Sequence, residues 1–541
     1  MMKKTIKKLL AALLAVAMVC AMAIPAFAGT EGDITTWHSF SAFQIFKGDV
    51  EGNDIKDFKI SNVTWGSNIA DNPAAFLDLL KADSTLGTQF QFIDATDANT
   101  AQKVLEVISK WDDSDANSIA FARFVCHYLY PNANAKPKPA VEGGCGSNSF
   151  HFDEAGYYLV VDTTPFNPGD FDHAYNSFLL MVTHDNWNVP ITPKAEKPTV
   201  EKKVYDNPDG TSTGGFGSSA DHAINEKFQF QLTATLPDST NRAYDYYDKY
   251  SVIFHDTLSE GITYDGPYSV VIESNDITYT ITDPSKYTIN TDKLDSQNYF
   301  EVEIPDVKTC VAGLDLNNGA TIKVTYTAHL NEKASVNTAG GGTSNINKVY
   351  LTYSNNPQDE SSIGKTPEST PVYVYTYQLN NTKYRDEVNE NNKLEGAGFR
   401  LYSNEACNAE DEIKLKMNDD GTYSRDFSTE GKGVEMISGQ DGQFNVKGLD
   451  AGTYYLKEIT PPDGYSACKV IPVTIKADHS RNDQVNLEGS NLTNDIVNIK
   501  AGGITLPSTG GIGTTLFYVV GGGLMVAAIV LLVTKKRMEN K

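Results

Sequence analysis

Thr321-Ile322-Lys323-Val324-Thr325-Tyr326 alternates polar and apolar residues without a break. In an extended chain successive side chains point to opposite faces, so Ile322, Val324 and Tyr326 share one side. The same period recurs in Phe228-Gln229-Phe230-Gln231-Leu232 and in Val349-Tyr350-Leu351-Thr352-Tyr353. Gly, Asn, Asp and Pro separate the runs. Short, half-buried strands at this spacing predict a mostly β chain of tandem, immunoglobulin-like sandwiches.

Working outward, the region from Gly29 to Pro193 differs from the remainder of the chain. Pro73 to Ala82 and Thr100 to Trp111 read as helices, the second with Val104, Leu105 and Ile108 on one side. Ala155 to Val161 reads as a strand. The expectation is a sandwich with added helices over 29–193. Prolines 190, 193 and 198 mark a linker, followed by an all-β domain over 194–366. The polar stretch Gln358 to Thr370 reads as a second linker. A third β-sandwich is expected over 367–503, ending in the flexible Ala501-Gly502-Gly503.

Both ends carry addresses. Lys3, Lys4, Lys7 and Lys8 precede an apolar core, Leu9 to Ile24, and the small-x-small site Ala26-Phe27-Ala28. Residues 1–28 therefore read as a secretory signal peptide. Near the other end stands Leu506-Pro507-Ser508-Thr509-Gly510, then the apolar run 516–533 and Lys535-Lys536-Arg537. Eighteen residues at helical rise reach about 27 Å, enough to cross a bilayer, and the basic cluster reads as its cytoplasmic stop.

The chain carries a formal charge of −24. Its two basic ends hold eight basic residues and one acid, so the remainder has 37 basic against 68 acidic residues. That balance argues against nucleic acid or an anionic membrane surface as a partner. Of six cysteines, Cys20 lies in the signal. Cys126 with Cys145 and Cys407 with Cys468 are the candidate disulfide pairs, leaving Cys310 odd. The nine histidines show no metal spacing, and neither HExxH nor GxSxG occurs. No metal, cofactor or enzymatic turnover is expected.

Four motifs carry a family resemblance. The motif at 506–510, its apolar span and its basic tail resemble the cell-wall sorting signal of Gram-positive surface proteins. The resemblance implies that a sortase cleaves between Thr509 and Gly510, with Leu506 and Pro507 as recognition residues, and passes the Thr509 acyl group to an amine. Tyr454-Tyr455-Leu456-Lys457-Glu458-Ile459-Thr460-Pro461-Pro462-Asp463-Gly464-Tyr465 is similar to the E-box of Gram-positive pilins, departing at Ile459 and Pro461. Leu394-Glu395-Gly396-Ala397-Gly398-Phe399 looks like a strand of Cna protein B-type domains. In such domains a first-strand lysine forms an amide with a last-strand asparagine, assisted by a buried acid. The resemblance implies Lys383, Asn498 and Glu458, with Asn494 the competitor for Asn498. Trp187-Asn188-Val189-Pro190-Ile191-Thr192-Pro193-Lys194 resembles the pilin motif, with Thr192 in place of its usual tyrosine. That resemblance implies Lys194 as the acyl acceptor, with Lys197 equally exposed.

The second region poses the same question without an E-box. Val200, Lys202 and Val204 alternate inward on its first strand, and Val349, Leu351, Tyr353 and Asn355 on its last. Lys202 and Asn355 are the expected pair, with Lys203 and Asn356 as nearest alternatives. Phe254 to Thr263 resembles a strand of pilin middle domains and offers Asp256 as the acid. Together these motifs resemble the major subunit of a sortase-assembled pilus. The partners so implied are a sortase, identical subunits, minor pilins, peptidoglycan and a host surface ligand. A monomeric wall-anchored adhesin, or a tip or basal pilin, is the alternative.

Overall fold

The computed structural model describes residues 39–51, 59–111, 116–131, 135–143, 149–164, 177–182, 187–190, 197–208, 214–239, 242–428, 431–479 and 483–502. The signal peptide, Cys145, Lys194 and everything from Gly503 onward, including the sorting motif, lie outside them. Among the described residues no helix is long and apolar enough to cross a membrane.

The first domain is an antiparallel sheet with helices on one face. Phe40–Glu51 pairs on one side with Lys59–Trp65 and on the other with Gly156–Asp162, which pairs with Phe178–Val182. Helices Pro73–Ala82, Thr100–Ile108 and Ala116–Leu129 cover one face through Phe76, Leu80, Val104, Phe121 and Val125. A hairpin of Ser149–Phe152 with Trp187–Pro190 borders a second core on the other face, around Phe150, Tyr158 and Leu180. All seven residues of Gly156–Asp162 are consequently buried. A strand covered on both faces reads as a continuous apolar run, which is why Tyr157 to Val161 shows no alternation.

The second domain is a sandwich of a six-stranded and a seven-stranded sheet. Thr321–Leu330 is central to the former, between Lys227–Thr235 and Ile262–Ser274. Its side chains alternate strictly between half-buried and buried, so Ile322, Val324 and Tyr326 enter the core. The first strand, Thr199–Asp206, pairs with Lys227–Thr235 and places Lys202 opposite Leu232. In the facing sheet, Val252–Leu258 pairs with Asn345–Ser354 and sets Asp256 opposite Val349.

The segment expected as the second linker instead belongs to this sandwich. Ile363–Lys365 pairs with the end of Asn345–Ser354, and Val372–Tyr375 joins the same sheet. Thr366 and Ser369 also donate backbone N–H groups to the carbonyls of Leu351 and Val349. A polar sheet-edge segment is satisfied by backbone pairing, so its composition mimics a linker. By sheet membership the domain ends at Tyr375, beyond the boundary read from sequence.

The third domain packs two five-stranded sheets. Its first strand, Tyr377–Arg385, lies parallel to the last, Thr493–Asn498, with Lys383 opposite Ile496. The facing sheet pairs Gly398–Tyr402 with Gly452–Thr460 and sets Phe399 opposite Glu458. Cys407 and Cys468 are both free thiols, correcting the expected disulfide. Cys468 touches Glu458, while Cys407 follows Tyr402, which pairs with Tyr455. Three residues of strand, about 10 Å, separate those two ends. Cys126 is likewise a free, buried thiol, against the pairing expected with Cys145.

The second and third domains meet where Gly448 accepts a backbone hydrogen bond from Ile224. Gly448 has φ +73°, and a Cβ there would lie 2.5 Å from Ile224 side-chain carbons. Gly448→Ala is expected to loosen this joint without unfolding either sandwich. Limited proteolysis should cut faster between residues 375 and 377 than in the parent chain, with unchanged far-ultraviolet circular dichroism.

Candidate cross-linking centres

The third domain buries an amine, an amide and a carboxyl in contact. Lys383 and Asn498 come from neighbouring strands, Glu458 from the facing sheet. Lys383 Nζ donates to Asn498 Oδ1 at 2.6 Å. Asn498 Nδ2 donates to Glu458 Oε1, also at 2.6 Å. Glu458 Oε2 stands 3.6 Å from Lys383 Nζ and accepts the Cys468 backbone N–H at 2.7 Å. Neither the lysine nor the glutamate side chain is exposed at all.

Why the strand delivers these groups is clear from its period. Leu379, Asn381 and Lys383 face inward together, and each is fully buried. The Lys383 ammonium position lies 5.1 Å from the Phe399 ring. Burial pushes the Lys383 pKa down, against the attraction of nearby Cys468 and Glu458. Loss of hydration disfavours the charged amine, and only the neutral form carries a nucleophilic lone pair. Asn494 faces a different group, donating to Asn381 Oδ1 at 3.0 Å.

In the second domain Lys202 and Asp256 form a wholly buried pair through Asp256 Oδ2. Burial lowers Lys202 to about 8, with Asp256 opposing the shift, and the same burial raises Asp256. Tyr326 Oη ties the pair to an amide. It accepts from Asn347 Nδ2 at 2.7 Å, lies 3.3 Å from Lys202 Nζ, and donates to Asp256 Oδ2 at 3.3 Å. Asn347 Oδ1 and Asp256 Oδ1 are buried with no hydrogen-bond partner.

The asparagine beside Lys202 is thus Asn347, not the expected Asn355. Asp256 lies opposite Val349, two residues from Asn347 and six from Asn355. At strand rise, six residues are about 20 Å. Asn355 Oδ1 instead accepts from Ser362 Oγ at 2.8 Å. The face carrying Val349, Leu351 and Tyr353 also carries Asn347, so following that alternation toward the N-terminus points to it. Tyr326 is visible as the inward end of the Thr321 to Tyr326 alternation. Its role depends on the approach of the two sheets, which no local pattern encodes.

Residues 378–490 match the family model described as a prealbumin-like fold domain. Residues 498–540 match the model of the LPXTG cell wall anchor motif. The chain carries a cell-wall anchor. A search of curated proteins returns no match. Among solved structures, the T6 backbone pilin of Streptococcus pyogenes serotype M6 is 16% identical with a TM-score of 0.45, covering 88% of this chain and 100% of that one. The C-terminal fragment of the major pilin GBS80 of Streptococcus agalactiae is 20% identical with a TM-score of 0.39, covering 56% and 99%. The full-length major pilin SpaD of Corynebacterium diphtheriae is 20% identical with a TM-score of 0.39, covering 64% and 80%.

Tyr326→Phe removes the acceptor of Asn347 Nδ2 inside the core. An orphaned buried donor costs about 1–3 kcal/mol. In a chain whose Asn347 amide is intact by mass, chemical denaturation should register a loss of that size in the second domain, and a change near zero would contradict the described contact.

Proposed function

We propose that this chain is the major subunit of a covalently assembled, sortase-dependent pilus whose domains cross-link themselves. The observation that carries this reading is the contact of Lys383, Asn498 and Glu458 in a dry core. The neutral Lys383 amine attacks Asn498 Cγ, forming the Nζ–Cγ bond. The carboxyl of Glu458, holding a proton, polarises the amide and passes that proton to Nδ2. The Cγ–Nδ2 bond breaks, ammonia leaves, and the proton lost by Nζ restores Glu458. Holding the groups at contact distance supplies most of the acceleration. Each centre reacts once, as maturation rather than turnover.

In the second domain the same roles fall to Lys202 as nucleophile, Asp256 as acid and Asn347 as acceptor, with Tyr326 positioning the amide. The unpartnered Asn347 and Asp256 oxygens support this reading, because the reaction gives that polar cluster a covalent resolution. Between subunits, sortase takes the Thr509 acyl group from the motif at 506–510 and delivers it to Lys194 of the next chain. Lys194 precedes the first strand of the second domain by five residues. Minor pilins and peptidoglycan then terminate the polymer, and its exposed faces serve adhesion to host surfaces.

Intact mass tests the internal bonds. The processed chain should be lighter than its sequence by two ammonias. Glu458→Gln and Asn347→Ala should each restore one, whereas Asn355→Ala should restore none. Closing a loop of about 115 residues by a covalent bond contributes about 5 kcal/mol, so Glu458→Gln should melt well below the parent. Polymerisation is tested separately. Lys194→Ala should abolish the detergent-resistant ladder in wall extracts while the anchored monomer persists; a persisting ladder refutes that role, and a parent chain without one favours a monomeric adhesin.

A further inference from the structure

A second cluster of buried ionisable groups lies at the joint between the second and third domains, remote in role from either cross-link. Asp206 ends the strand Thr199–Asp206, and Asp221 ends the short strand Ser219–Asp221. His479 belongs to the third domain. One ligand atom from each lies within 4.8 Å of the others. Asp206 and Asp221 are 4% and 1% exposed.

The imidazole is held in one tautomer. Ser219 Oγ donates to the His479 carbonyl at 3.0 Å, which spends its only proton. Its 2.8 Å contact with His479 Nδ1 is then made by an Nδ1–H donor. In the neutral ring Nε2 therefore carries the lone pair, and it faces Asp206 Oδ2 at 3.7 Å. Tyr375 stacks on the ring, which fixes its direction.

The carboxylates are also oriented from outside the cluster. Tyr377 Oη, from the first strand of the third domain, donates to Asp221 Oδ2 at 2.8 Å. The Asp221 N–H donates to Asp206 Oδ1 at 3.1 Å. A histidine whose far nitrogen is a tied donor, beside one carboxylate held by a hydroxyl and another by a backbone N–H, is the outer-shell arrangement of protein metal sites. Ligands at about 2.1 Å around a tetrahedral ion lie about 3.4 Å apart, and His479 Nε2 and Asp206 Oδ2 stand 3.7 Å apart.

We propose that Asp206, Asp221 and His479 bind a first-row transition dication that joins the second domain to the third. One imidazole nitrogen and two carboxylate oxygens suit Zn²⁺ or Mn²⁺, whereas Ca²⁺ takes oxygen ligands. The ion adds a link at a joint that otherwise holds a few hydrogen bonds, the Lys416–Glu332 and Arg425–Glu226 ion pairs and apolar contacts such as Ile224 on Gly448.

The full-length chain, purified in detergent and stripped with chelator, is titrated with Zn²⁺ alone and then with Mn²⁺. Calorimetry should give a site that His479→Gln and Asp221→Asn each weaken at least tenfold, and Zn²⁺ should raise the melting temperature of the parent but not of the variants. If Asp221→Asn fails to fold, His479→Gln carries the test, since its side chain is 13% exposed. Three results overturn the proposal. One is absence of binding by the parent chain, including the case where stability rises as pH falls through the histidine range and so assigns an imidazolium pair. Another is binding unchanged in both variants. The third is binding lost only in Glu226→Gln, which moves the ion to the neighbouring His222, Glu226 and Asp450.

Discussion

Two lysine amines lie wholly buried in β-sandwich cores, and much of the architecture stems from that constraint. An isolated charge there is costly, so each amine has a carboxyl from the facing sheet and an amide within reach. In the third domain all three groups touch directly through Asn498. In the second a tyrosine hydroxyl stands between the pair and Asn347. The apolar surroundings that make the ion pair expensive also favour the neutral amine that chemistry needs. Core packing and reactivity are here one property.

The two centres differed in how far they could be read from sequence. Lys383, Glu458 and Asn498 sit on strands whose alternation is clean and whose neighbours resemble a known motif. Lys202 and Asp256 were legible for the same reason. Asn355 was misplaced because alternation specifies a face but not a position along it. The register of Val252–Leu258 against Asn345–Ser354 decides that position, and it is set by long-range pairing. The helix Ala116–Leu129 was missed because Ala120, Phe124 and Tyr128 extend its apolar residues beyond the face shared by Ile119, Phe121, Ala122, Val125 and Cys126. The segment 358–370 was read as a linker because edge strands owe their order to backbone bonds rather than to apolar side chains.

The cysteines show a related limit. Two cysteines within each of the first and third domains invited pairing, yet Cys468 is occupied beside Glu458 and its thiol is pushed up to about 12 by burial. Cys126 is raised to about 12 for the same reason. Thiols this reluctant to ionise are poor nucleophiles and behave as apolar filling. The fold is held by its cores and its buried polar centres, and the free thiols take no structural bond.

The parallel pairing of Tyr377–Arg385 with Thr493–Asn498 has a mechanical meaning. A pull at the domain's two ends draws the first strand by its N-terminus and the last by its C-terminus. Parallel neighbours drawn this way slide against each other, so the backbone bonds from Asn380 through Arg385 resist in shear, together rather than one at a time. The second domain lacks this arrangement, because Thr199–Asp206 and Val372–Tyr375 lie in different sheets. There the same pull peels one sheet from the other, and resistance must come from whatever spans the gap at Lys202.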